Sequence, residues 1–220
     1  LDARLFEDDM ALIDKVTSIR HRDRTGTMKG SSYTISLSAK LSRCVASVPG
    51  VLIGKRALQK PTLPEFILDE NCPLSIIREF LAGLFGGDGT APYMTKTSKF
   101  GAISFKWTIV EAFNQEMADL FVSLGKLVEN FGIRVTHSNP IKIKYGATSI
   151  KPKDSEENPR YDHNLAICLE DTDKFHNLIG FRYCLYKSCR LTVAGSYMRL
   201  CRKVREQHQY VFDEVMKVYD

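Results

Sequence analysis

The chain has 220 residues, enough for one sizeable domain or two pseudo-equivalent halves of about 100 each. At 44% hydrophobic residues it has the make-up of a globular, soluble protein, and no apolar run approaches the ~18–20 residues of a membrane-crossing helix. A formal net charge of +5 allows a polyanionic partner without singling one out, and the six cysteines form no Cys-x-x-Cys pair and no His-interleaved zinc spacing, which points to free thiols in a reducing, intracellular setting.

No charged segment followed by an apolar core marks a leader near Leu1, so the chain is expected to be part of something longer. Ala3, Leu5, Phe6, Met10, Leu12, Ile13 and Val16 recur at helical spacing and predict an amphipathic helix over 3–18, with Glu7, Asp8 and Asp9 as cap-like acids in its first half. Residues 19–31 are basic and contain glycine, 33–37 alternates as a strand, and 39–48 reads as a short helix stopped near Pro49 and Gly50. Pro61 and Pro64 mark a connector, and Asn71 and Pro73 start a helix over 74–88.

Beyond Gly89 the period changes from 3.6 to 2. Residues 91–97 and 102–108, joined through Ser98, Lys99, Phe100 and Gly101, predict a hairpin with Ile103, Phe105 and Trp107 facing a core and Ala102, Ser104 and Lys106 facing out. Met117, Leu120, Phe121, Leu124, Leu127 and Phe131 predict a helix over 114–131, closed by Gly132. A second strand pair follows. In 134–145, Ile141 and Ile143 are expected inward with Lys142 and Lys144 outward, and in 163–169 Leu165, Ile167 and Leu169 alternate. Between them 146–160 reads as loop, and the end of the chain as two helices, about 172–200 and 201–218, or one broken helix. Basic residues cluster locally, with six Lys or Arg between Arg20 and Arg43 against Asp23, and seven between Arg182 and Glu206 against that one acid. Either is also what a solvated helix face looks like.

The helix over 74–88 carries the chemistry. Ile77, Phe80, Leu81 and Leu84 form its apolar stripe, while Ala82, Gly83, Gly86 and Gly87 form a small face. Glycine in a helix costs roughly 0.5–1 kcal/mol against alanine, so three in five positions need a compensating reason, which close approach of a second helix through Gly83-x-x-x-Gly87 supplies. Asp88 then stands at the C-terminal end, where the helix dipole disfavours an anion and a cation is welcome. A carboxylate beside helix-final carbonyls is an oxygen-rich cluster of the kind Mg²⁺ accepts, whereas a helix ending in a plain Asp-Gly turn is the simpler alternative.

The run Leu81 to Gly89 resembles the LAGLIDADG motif of the homing endonucleases, matching at Leu81, Ala82, Gly83, Leu84, Asp88 and Gly89, with Phe85 a conservative change and Gly86 in place of a variable acid. Leu63 to Ile67 leading into Ile77 to Leu81, and later Ile179 to Cys184 followed by Arg190, Leu191 and Thr192, are similar to the corresponding text of intein-associated members. The resemblance implies an α+β class, with an αββαββα unit over 74–220 carrying a saddle-shaped antiparallel sheet. Residues 1–73 would then be the incomplete rear part of a preceding unit without its motif helix. It implies a site-specific double-stranded DNA endonuclease hydrolysing phosphodiester bonds with Mg²⁺ (or Mn²⁺, with Ca²⁺ as a non-cleaving substitute), housed in the nucleus or an organelle.

In that reading Asp88 is the metal-binding catalytic acid and Gly87 offers its carbonyl to the same metal. Gly83, Gly86 and Gly87 form the helix interface, and Lys40 is the best guess for a basic residue near the centre. Outward strand residues Thr95, Lys99, Ser104, Lys106, Lys142 and Lys144 contact DNA. Leu178 to Phe181 is scaffold rather than a second motif, since its acid position falls on Leu185. The second aspartate must come from upstream sequence or an identical subunit, or is lost, which leaves a degenerate DNA-binding or RNA-binding, maturase-like protein as the alternative. No splicing element is visible, because His163-Asn164 is followed by Leu165.

Overall fold

A computed structural model describes residues 13–22, 28–95, 100–145, 157–182 and 184–219. Two antiparallel sheets are present among them. The first pairs β1 (Ile13–Arg22) with β2 (Met28–Leu37). The expected helix over 3–18 is therefore corrected from residue 13 on. Ile13, Val16, Thr17 and Ile19 are β-branched, stiff at χ1 and suited to a pleated surface, and β2 supplies the partner that periodicity alone does not reveal. The remainder of that expected helix, with Glu7, Asp8 and Asp9, lies outside the described residues.

A short helix α1 (Ala39–Ala46), capped by the Ser38 hydroxyl accepting from the Leu41 amide, leads through a 3₁₀ turn at Arg56–Leu58 and the single turn α2 (Glu65–Leu68) into α3 (Leu74–Asp88). From there the order is β3 (Gly89–Thr90), β4 (Ser104–Val110), α4 (Asn114–Glu129), β5 (Val135–Lys142), β6 (Arg160–Ile167), α5 (Thr172–Leu178) and α6 (Leu185–Tyr219). The class is α+β, with a four-stranded antiparallel sheet in the order β3-β4-β6-β5. The first hairpin is shorter than its alternation predicts. Pro92 cannot donate to a ladder, so only Gly89 and Thr90 pair regularly with β4, and Met94 and Phe100 meet as an isolated bridge.

Alternation puts Phe105, Trp107 and Ile109 of β4 and His163, Leu165 and Ile167 of β6 on the face covered by helices. Phe85 of α3 binds the layers together, its ring 5.7 Å from Phe105 and 5.2 Å from Phe175 of α5, while Phe105 stacks on Phe121 of α4. His163 is part of this core. Burial lowers its pKa against the pull of Asp162, and its Nε2 meets the Asn114 Oδ1 at 2.8 Å.

β5 corrects the expected facing of Ile141 and Lys142. Asn139-Pro140 interrupts the ladder between Ser138 and Ile141, and the bulge shifts parity, so Ile141 pairs with Asp162 and is 65% exposed while Lys142 pairs with Tyr161 and lies over its ring. Ile143 is half-buried and Lys144 exposed beyond the strand. The last helices also break elsewhere than expected. Gly180, at φ +73°, ends α5 early in a conformation that favours glycine, and the run 185–219 continues as α6 through residue 200 with non-helical dihedrals only at His208.

Asp171 ties this end of the fold together. Its buried carboxylate accepts from the Arg134 amide at 3.0 Å and Nε at 2.8 Å, and lies 3.1 Å from Lys174. Burial pushes the carboxyl pKa up, but these hydrogen bonds outweigh it and hold Asp171 down at about 2. Its stabilisation is thus fully present above the ordinary carboxylate range and is lost as pH falls through about 4 towards 2. Asp171→Asn should cost about 1–3 kcal/mol at neutral pH, as an engaged buried acceptor is lost, and should flatten the fall of thermal stability between pH 4 and pH 2. Calorimetric melts across that range check it.

Candidate functional site

The fold brings together three segments that are distant in sequence at the end of α3. The helix begins after Pro73, which has no amide to satisfy, and ends at Asp88, where the Gly89 amide donates to the Phe85 carbonyl. Two cationic side chains close that negative end. The Arg56 Nη2 donates to the Asp88 Oδ2 at 2.6 Å, both side chains being about half-exposed, and the guanidinium lies 5.1 Å over the Trp107 ring. The Lys187 Nζ, from the first turn of α6, donates to the carbonyls of Gly86 and Gly87 at 2.7 Å each. Burial pushes the Lys187 pKa down, opposed by the nearby Cys184 and Asp88.

The glycines divide into two jobs. At Gly86 an added Cβ would stand 2.1 Å from the Arg182 carbonyl oxygen, so this glycine serves an internal contact with the turn before α6. The expectation that Gly86 belongs to a helix interface is corrected accordingly. That turn is pinned by the Arg182 amide on the Ala82 carbonyl at 3.0 Å and by the Arg182 guanidinium on both Glu79 oxygens. Ile179 and Phe181 are core residues, while Leu178 is exposed. Gly83 and Gly87, in contrast, would meet nothing within 4 Å. With Phe80 and Leu84 they line a shallow concavity of about 410 Å³ running along α3 to Asp88. Ile76, 46% exposed, extends the same stripe.

The other nominated residues lie apart from this end. Lys40 is exposed in the first turn of α1 and makes no hydrogen bond or ion pair to Asp88, so the basic groups at the centre are Arg56 and Lys187 instead. On the sheet face turned away from the helices, cross-strand pairing aligns Lys106, Asn164 and Ser138 in one row, with Ser104, Ala166 and Thr136 beside it and Thr108, Asp162 and Ile141 on the other side. Lys106 is exposed and Ser104 half-buried, both on this face. Lys142 has left it through the bulge. Thr95 is half-buried after the isolated bridge, and Lys99 lies outside the described residues. Asn164 is missing from the nominated set although parity with Leu165 and Ile167 marks it as outward, and its Oδ1 is buried without a hydrogen-bond partner. For Arg56 and Lys187 the sequence carries no comparable signal, since each reaches its partner across 32 and about 100 residues.

The oxygens at the end of α3 are of the hard type that divalent cations take. Yet Asp88 Oδ2 and both helix-final carbonyls are engaged by cationic side chains, and no cluster of three or more metal-ligating His, Cys, Asp or Glu occurs among the described residues. As arranged, this end does not fit a divalent ion. No described helix is long and apolar enough to cross a membrane, and the six cysteines are unpaired.

No family model and no solved structure matches the chain. It is 26% identical over 219 residues to the tRNA-splicing ligase RtcB of Pyrococcus abyssi, covering 96% of this chain and 22% of that protein. It is 24% identical over 172 residues to the same-named ligase of Methanopyrus kandleri, covering 78% and 16%, and 29% identical over 115 residues to the replication factor C small subunit of Methanocaldococcus jannaschii, covering 52% and 6%. The chain thus spans about a fifth of the ligases it matches.

The two kinds of glycine can be told apart by stability. Gly86→Ala should destabilise by about 1–3 kcal/mol through overpacking against Arg182, whereas Gly83→Ala should stabilise the isolated chain by about 0.5–1 kcal/mol through helix propensity. Urea unfolding of both variants is the check; equal effects would contradict the division.

Proposed function

We propose that residues 74–220 are a LAGLIDADG unit of an intein-associated, site-specific double-stranded DNA endonuclease, preceded over 1–73 by the rear part of another unit. The observation that carries this reading is the α3 face, notched at Gly83 and Gly87, open along its length and ending in Asp88. The α-β-β-α-β-β-α order of α3 to α5 supports it as well. An exposed, glycine-notched apolar stripe asks for a second helix, and a helix arriving there sets its own terminal acid beside Asp88. Activity is then a property of the paired assembly, with the partner helix coming from an upstream segment or an identical subunit.

A transferable module accounts for these matches better than the activity of either kind of relative does. Because the match to the P. abyssi ligase covers 96% of the chain, the stretch resembling replication factor C falls almost wholly inside it. Similarity of one segment to minor shares of two differently named proteins supports reading it as an insert, the way an intein-associated endonuclease sits in its host.

In this reading the Lys106, Asn164 and Ser138 row faces the major groove, Lys106 contacting phosphate and Asn164, whose Oδ1 is buried, offering its Nδ2 donor to a base edge. Hydrolysis dependent on added Mg²⁺ or Mn²⁺ is the expected activity. A second reading, a DNA-binding or RNA-binding, maturase-like protein that does not cut, is favoured by the Arg56–Asp88 pair, which holds the acid against a cation of its own chain.

Selection from a random-sequence duplex library, followed by cleavage in Mg²⁺, separates the two. The endonuclease reading expects a bound subset that wild type cuts and Asp88→Asn binds but leaves intact. Binding without cleavage by wild type supports the second reading, and preference for RNA over duplex DNA overturns the DNA target. Lys106→Ala should weaken binding across sequences and lower the salt slope by about 1, while Asn164→Ala should cost about 1–3 kcal/mol and relax preference at one base pair. Titrations at several salt concentrations check both.

A further inference from the structure

We propose that Arg56 is the resident counter-cation of Asp88 and controls whether a divalent ion enters the end of α3. The inference rests on Asp88 being the acid of the site, and goes beyond it by assigning a role to a residue outside the motif. Arg56 comes from the 3₁₀ turn upstream of α3 and reaches Asp88 Oδ2 at 2.6 Å, the shortest approach any cationic group makes to that carboxylate among the described residues. Its guanidinium is seated on Trp107, whose flat ring is held in the core at 8% exposure, so Arg56 is oriented on one side by a rigid surface and on the other by the carboxylate.

The charge balance follows from these contacts. A helix C-terminus carries about half a negative charge, which with ionised Asp88 makes about −1.5. Arg56 and Lys187 together already exceed that with two positive charges. A divalent ion added with both side chains in place would meet net repulsion instead of an anionic site. Lys187 grips backbone carbonyls from a half-buried position, whereas the Arg56 pair is about half-exposed, so Arg56 is the cation that yields. An exposed ion pair of this kind is worth up to about a fivefold factor in an equilibrium, small enough to be overcome when substrate phosphates and a second acid arrive. The consequence is a site that stays closed to divalent ions until it is assembled.

Trp107 is the single tryptophan of the chain and lies under Arg56, so its fluorescence reads the surroundings of this site. The experiment is Mn²⁺ titration of the DNA-free chain, read by quenching of Trp107 fluorescence, for wild type, Arg56→Gln, Arg56→Lys and the Arg56→Gln, Asp88→Asn double variant, each first shown by thermal melt to be folded. Arg56→Gln should bind Mn²⁺ at least threefold more tightly than wild type. Arg56→Lys, which restores the charge, should return to within twofold of wild type, and the double variant should lose the gain. A gain below threefold in Arg56→Gln, or one that survives removal of Asp88, overturns the proposal. Duplex binding by the same preparations keeps the two readings separate. If wild type fails to bind duplex DNA while Arg56→Gln still gains Mn²⁺ affinity through Asp88, the DNA reading fails and the counter-cation role stands. Duplex binding without the Mn²⁺ gain overturns the counter-cation role and leaves the DNA reading standing.

Discussion

Crowding of negative charge at the C-terminal end of α3 is the constraint around which this molecule is organised. Helix-final carbonyls already point outward there, and Asp88 adds a carboxylate where the dipole disfavours one. The chain answers from two directions, with Arg56 from the connector on the acid and Lys187 from α6 on the carbonyls of Gly86 and Gly87. Both contacts need their elements at close range. The Arg182 turn supplies part of that proximity by packing its backbone where Gly86 has no side chain, and thereby sets where α6 begins.

From that end the core follows. Phe85, one residue before Gly86, faces the sheet and joins it to α5 through Phe105 and Phe175. The helix therefore has an inward face that builds the core and an outward face left open at Ile76, Phe80, Gly83 and Gly87. Its two faces explain why three glycines within five positions are tolerated. One removes a clash inside the chain, and the other two keep an outer surface flat.

Much of the fold is legible in the order of residues. The extent of α3, the α4 helix with its Gly132 stop, and the inward set Ile103, Phe105 and Trp107 all follow from hydrophobic period and glycine placement, which are local properties. Where sequence and structure part, the signal is local and the outcome is not. Ile13 to Ile19 fit a helical period as well as a strand, and pairing with β2 decides between them. The parity of β5 cannot be carried past Asn139-Pro140, because a bulge inverts every facing after it.

What the sequence alone determined is the acid and the helix that presents it, because the spacing of Leu81, Gly83, Gly87 and Asp88 is a property of one continuous segment. What only the tertiary structure decided is the company that acid keeps. Lys40 is the basic neighbour the sequence suggests, and neither composition nor spacing points to Arg56 or Lys187 in its place. An ion pair across 32 residues and a lysine cap across about 100 exist only once the connector and α6 have been folded onto α3. The same packing separated Gly86 from Gly83 and Gly87, since whether a glycine faces a neighbour or open space depends on what else in the chain arrives beside it.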